Sequence, residues 1–184
     1  MTIEYQQTMS FDKHTRKTKY ASGRTFGDRC MSQVKKIVEK HVHQYVSPAV
    51  HAVESTCEVD RTQATDLHVV FSQPRCNVAV RMRDLRYWQR FRGEFTIRAP
   101  HELQKMTQQG FADFLFYGFQ QNEKVVYWRL ADLAVFRSEY WQAKNQKRKI
   151  GSSIDNKGDH TQFVAYRWQD FSEHFVIAEH WDER

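Results

Sequence analysis

Glycine and proline are scarce in this chain, at seven and three of 184 residues. A disordered or low-complexity protein would carry many more, so a packed chain is expected. Cysteine is as rare. Cys30, Cys57 and Cys76 are odd in number and widely spaced, with no Cys-x-x-Cys. That argues against a disulfide framework or a zinc ribbon and for reduced thiols. No uninterrupted apolar run nears the ~20 residues that a membrane helix needs. Met1 to Gln7 do not follow the basic-then-apolar order of a signal peptide. The expectation is a cytoplasmic protein with no membrane partner. The glycine-rich phosphate loops and the G-x-S-x-G elbow are also missing, which weakens nucleotide-hydrolase and serine-hydrolase readings. Nine histidines are scattered. His41 and His43, two apart on a helix, point apart and make a poor zinc pair.

Large rings and basic side chains are plentiful. Thirteen Phe, eight Tyr and five Trp predict an interior built from aromatics. The formal charge of +6 and a pI near 9.3 bias the protein toward polyanions such as nucleic acid. The basic residues come in three groups. Lys13, Arg16, Lys17, Lys19 and Arg24 form the first, Arg81, Arg83, Arg86, Arg90 and Arg92 the second, and Lys144, Lys147, Arg148 and Lys149 the third. The second interleaves Tyr87, Trp88 and Phe91, rings that can stack on bases or pack inward.

Residues 1–26 carry neither period and read as a basic arm. A helix follows, capped by Thr25 or Asp28, with Met31, Val34, Val38, His41 and Tyr45 on one face. Ser47 and Pro48 predict a second short helix to about Ser55. A short strand is expected at 56–60. Further strands are expected at 67–71, at 78–83 and at 94–98. In the second of these, Val78, Val80 and Met82 face one way, and Ala79, Arg81 and Arg83 the other. Pro100 starts a helix to Gln109, with Gly110 past its end. A long strand at 112–119, a turn at 120–123, a strand at 125–130 and a short helix at 133–140 follow. The basic run 144–149 and the segment 154–159 read as a surface loop, and 163–168 with 174–178 as a terminal strand pair. The class is α/β (α+β): a mixed central β-sheet flanked by helices, in one domain over 1–184, with a core at 28–119 and additions at 120–184.

Charged residues inside the apolar runs are costly to bury unless paired or bound to a ligand. Asp66, Glu39, Glu102 and Asp113 are carboxylates of the kind that hold magnesium, and Lys105 is three residues after Glu102. A nuclease needs such an ion, with a lysine to offset developing charge. The alternative pairs Asp66 with Arg81 or Arg83 across neighbouring strands. Arg81, Arg83 and Arg98 share a strand periodicity and are candidate phosphate binders, or else a polar sheet face met by carboxylates and water.

The helix-strand-strand-strand-helix-strand order resembles the core of the PD-(D/E)XK restriction-endonuclease-like superfamily. That resemblance implies a magnesium- or manganese-dependent endonuclease or exonuclease. Glu39 and Asp66 take its first two acidic places. Arg81-Met82-Arg83 stands where (D/E)-x-K is expected, and Glu102 and Lys105 are candidates for a pair relocated to the following helix. It implies Asp66, Glu102 and Lys105 as catalytic residues, Asp66, Glu102 and Glu39 as metal ligands, and Arg81, Arg83 and Arg98 as nucleic-acid contacts, with DNA ahead of RNA and homodimers compatible. The phrases A-T-D-L, V-A-V-R-M-R, F-T-I-R, E-L-x-K and A-D-F-L-F-Y-G-F are also similar to small proteins of phages and mobile elements. Two other readings stay open: a non-catalytic nucleic-acid-binding module in which arginines replace the catalytic pair, and a phage or mobile-element protein that binds and inhibits a host protein.

Overall fold

A computed structural model describes residues 26–46, 51–55, 66–70, 76–108, 111–156 and 161–181. Its frame is set by two strands. β3 (Cys76–Asp84) keeps the expected alternation: Val78, Val80 and Met82 pack on one side, Ala79 on the other. β5 (Phe114–Gln121) is buried from Phe114 to Gln120. It pairs parallel to β3, with Val78 opposite Phe114 and Asp84 opposite Gln120. A strand covered on both faces needs apolar residues at every position, which is what F-L-F-Y-G-F supplies. Gly118 lies opposite Met82, and a Cβ there would sit 3.0 Å from the Met82 sulfur. The glycine gives the methionine its place.

β1 (His51–Glu54) and β2 (Leu67–Val70) extend the sheet antiparallel from β3. β6 (Lys124–Asp132) and β9 (Val176–His180) extend it antiparallel from β5. The result is a six-stranded mixed sheet in the order β1-β2-β3-β5-β6-β9. Asn122 and Glu123 turn β5 into β6 with positive φ values of 50° and 62°, the conformation a tight two-residue hairpin demands.

One face is covered by α1 (Met31–Val46). Val34, Val38 and Val42 recur every four residues and meet Val78, Val80, Phe114, Phe116 and Leu130. Each buried valine contributes roughly 1.5–3 kcal/mol. Against the other face lies a second sheet. There β4 (Glu94–Ala99), β8 (Gln162–Arg167) and β7 (Ser152–Asp155) run antiparallel in the order β4-β8-β7. A one-turn 3-10 helix (Leu85–Tyr87) runs into α2 (Trp88–Phe91), and α3 (His101–Met106) and α4 (Leu133–Asn145) follow. Asp132 caps α4 by accepting from the Ala134 amide at 2.7 Å. The core on this side is aromatic, with Phe95 within 4.5–6.0 Å of Phe136, Tyr166, Trp168, Phe171 and Phe175.

The α+β class with a mixed sheet and flanking helices stands, and five local expectations change. The helix expected to about Ser55 is the edge strand β1 over His51–Glu54. The strand at 94–98 exists but belongs to the second sheet. The expected loop over 154–159 begins as strand β7. The terminal strands are not a pair, because β8 and β9 lie in different sheets, and β9 starts at Val176. The helix at 133–140 runs on to Asn145. Most of the 1–26 arm, the strand at 56–60 and Gly110 lie outside the described residues. Among those residues no helix is long and apolar enough to cross a membrane.

Candidate functional site

Asp66 sits one residue before β2. Its backbone continues the ladder: its amide donates to the Val78 carbonyl at 3.0 Å, and its own carbonyl accepts from the Ser55 amide at 3.0 Å. β2 starts one residue after Asp66, and β3 runs on past Val78. The Asp66 carboxylate reaches along β3, its Oδ2 accepting from the Val80 amide at 2.6 Å. A side-chain oxygen thus satisfies a backbone donor of β3.

Arg81 follows on the second face of β3. One guanidinium nitrogen, Nη1, reaches Asp66 Oδ2 at 3.4 Å and donates to the Val80 carbonyl at 2.6 Å. The other, Nη2, is paired with Glu102 on α3. The three side chains are 29%, 21% and 15% exposed for Arg81, Asp66 and Glu102. They are therefore well removed from the regime in which surface ion pairs contribute almost nothing. Asp66 and Glu102, two of the three carboxylates expected to hold a metal, do converge, but on the guanidinium of Arg81. Two like unit charges about 4 Å apart repel by about 4 kcal/mol at the effective dielectric near a protein surface. A divalent ion and this guanidinium do not share the pair, so the residues as arranged do not fit a resident magnesium. Lys105 lies one turn further along α3, half-buried.

Glu39 does not join them in a metal cluster. Its Oε1 accepts from the Ala52 amide at 2.7 Å and so ties α1 to the edge of β1. Among the described residues there is no group of three or more histidine, cysteine or acidic side chains placed to hold a metal ion. Asp113 opens β5 and exchanges two hydrogen bonds with Asn77: it donates from its amide at 2.7 Å and accepts on Oδ2 at 2.8 Å. Burial pushes its carboxyl above the ordinary range, the Asn77 amide and Arg137 pull it back, and Asp132 adds to the rise.

Arg83 points into the molecule. Its Nε bonds the Tyr117 hydroxyl, its Nη2 donates to Thr96 Oγ1 at 2.8 Å, and its guanidinium lies 4.2 Å from the centre of the Phe91 ring. It bridges β5, β4 and α2. Burial pushes the Tyr117 hydroxyl up in pKa, with Arg83 opposing. Arg98 is exposed on β4, opposite Phe163 of β8. Arg81 and Arg83 share a face, but Arg98 is on the other sheet, so the three are not neighbours on adjacent strands of one sheet.

The basic segment divides its rings. Trp88 is buried, stacked on Tyr127 at 4.1 Å and edge-on to Phe119 and Trp181. Tyr87 is 40% exposed. Sequence reasoning missed Arg129, buried between Trp168 and Trp181 at 5.1 and 4.3 Å and bonded to Glu179 at 2.6 Å. The signal was present, since Arg129 interrupts the apolar run of β6. The third basic group begins at Lys144 in the last turn of α4, continues past the helix and is exposed. Compared with known proteins, the chain matches no protein-family model, no curated protein and no solved structure.

Proposed function

We propose that this protein is a non-catalytic nucleic-acid-binding module built on a restriction-endonuclease-like scaffold. The observation that carries the non-catalytic part is Arg81. It occupies the space between Asp66 and Glu102 and neutralises both, where a metal-dependent nuclease would leave its carboxylates for a cation. Support for the scaffold comes from α1, β2 and β3 followed by α3 and then β5 parallel to β3; the strand expected between β3 and α3 is β4, which lies in the second sheet, and β1 takes the third place beside β2. Support for a polyanionic partner comes from the +6 charge and from the exposed Arg86, Arg90, Arg98 and residues 144–149. The test is fluorescence anisotropy with labelled DNA and RNA over a salt series, beside cleavage assays in magnesium and in manganese. Binding that weakens steadily with salt, without cleavage, is the expected result. Protein that binds no nucleic acid at low salt sinks the reading.

A second reading is favoured by one specific observation: Asp66 and Glu102 meet at a single cation, with Lys105 one turn from Glu102. If Arg81 vacates that position, the same residues make a magnesium- or manganese-dependent nuclease. Cleavage by the wild-type protein, lost in Asp66→Ala, would establish this second reading in place of the first.

A further inference from the structure

The hollow between the end of β3 and the one-turn helices has the chemistry of a base-stacking site. It measures about 240 Å³ and is lined by Phe26, Met82, Arg83, Asp84, Arg86 and Tyr87. That is below the roughly 300–1,000 Å³ of sites that enclose whole small molecules, so it suits one planar group rather than a nucleotide cofactor. Its apolar lining is Met82 and Phe26. Tyr87, on its rim, is one of two large hydrophobic residues of the described chain that stay exposed, at 40%. The Tyr87 ring is fixed edge-on to Phe91, with centroids 6.3 Å apart. Asp84 caps the 3-10 turn through the Arg86 amide at 2.9 Å. The Arg86 guanidinium lies 4.9 Å from the Tyr87 centroid. The Arg86 side chain is 71% exposed, so it can swing to a phosphate while Tyr87 keeps the ring. Arg90 stands one turn further on, also exposed.

We propose that this hollow receives one unpaired base of a nucleic-acid strand, stacked on Tyr87, with Arg86 and Arg90 on the flanking phosphates. The proposal rests on the nucleic-acid reading above and narrows it to single-stranded substrates. In a duplex the faces of each base are covered by its neighbours, and only edges are offered. A ring face beside planar cations recognises a face, and so requires a base out of the stack. Asp84 is the one acid in the lining, and its Oδ1 is held by the Arg86 amide, a bond that remains when the Arg86 side chain moves.

The experiment uses the full chain and two fluorescein-labelled probes of one length, a single-stranded oligodeoxythymidine and a duplex. Stacking on one aromatic ring predicts that Tyr87→Ala weakens single-strand binding by about 5- to 100-fold, while Tyr87→Phe stays within about twofold of wild type. Thermal melts check that both variants fold. Ultraviolet cross-linking to a strand carrying 5-iodouracil, followed by peptide mapping, should label the segment containing Tyr87. Single-strand affinity unchanged in Tyr87→Ala, or labelling confined to other segments, overturns the proposal. Duplex binding with no single-strand binding also overturns it and leaves the nucleic-acid reading standing. Binding to neither probe removes both.

Discussion

The two faces of the six-stranded sheet solve the same burial problem with different materials. The α1 face is mostly aliphatic: three valines of α1 with Val78, Val80, Leu67 and Leu130, and three rings, Phe114, Phe116 and Trp128. The opposite face is ringed and charged. Arg81, Arg83 and Arg129 all enter it, and each is met differently: Arg81 by carboxylates, Arg83 by hydroxyls and a ring, Arg129 by two indoles and Glu179. An aliphatic face tolerates no charge because it offers no partner. A face of rings with polar edges can hold cations at half-buried depth, and Arg129 even deeper. The polar features that bear on function therefore gather on one side of the sheet.

That contrast can be broken from either side. The largest effect is expected for Val38→Asp, which places an unpaired carboxylate in the aliphatic layer; a loss of more than about 4 kcal/mol, read as failure to fold in denaturant titration, is expected. An equal but harmless charge there would end the distinction. On the other face, Arg81→Ala strands two half-buried carboxylates and should cost about 2–4 kcal/mol. Asp66→Asn keeps an acceptor for the Val80 amide while removing the charge, and should cost only about 1 kcal/mol. If the two variants melt alike, Arg81 is not what holds the carboxylates.

A pH series sharpens the comparison at the sheet's own level. Cys76 begins β3, and burial first, then the nearby Asp113 carboxylate, push its thiol up from 9.0 to about 11. Its folded value lies above its unfolded one, so its contribution is fully present below pH 9 and is lost as pH rises toward 11. The full effect is roughly 2–3 kcal/mol. Denaturant midpoints at pH 8 and pH 11 should differ by less in Cys76→Ala than in wild type. Smallest of all, Glu179→Gln keeps an acceptor for Arg129 and should cost about 1 kcal/mol or less, because Glu179 is 46% exposed.

Periodicity made part of this legible in advance. The two faces of β3 follow directly from a spacing of two, and Val34 and Val38 of α1 from a spacing of four; Val42, which is fully buried, lies off the expected stripe of Met31, Val34, Val38, His41 and Tyr45. The strand at 94–98 was equally legible as a strand. Its partner was not, because β4 pairs with β8, far along the chain, and nothing local encodes that choice. The segment after Pro48 read as helix because a short apolar run fits either period. Pairing of Ala52 with Val69 across the sheet edge decides for strand. The site was half legible. Their chemistry puts Asp66 and Glu102 together at a metal and leaves Arg81 open between phosphate and Asp66. The structure joins Arg81 to both carboxylates, which spacing alone cannot decide because it does not say which way a guanidinium turns.

Glu39, considered first as a metal ligand, has a different consequence. Its carboxylate occupies the Ala52 amide on the outer side of β1, and an open strand edge is a template for another chain's strand. One acidic side chain from the covering helix closes that template. Glu39→Ala should therefore show itself less in unfolding than in light scattering of concentrated samples, as growing sheet-to-sheet association between molecules that each remain folded.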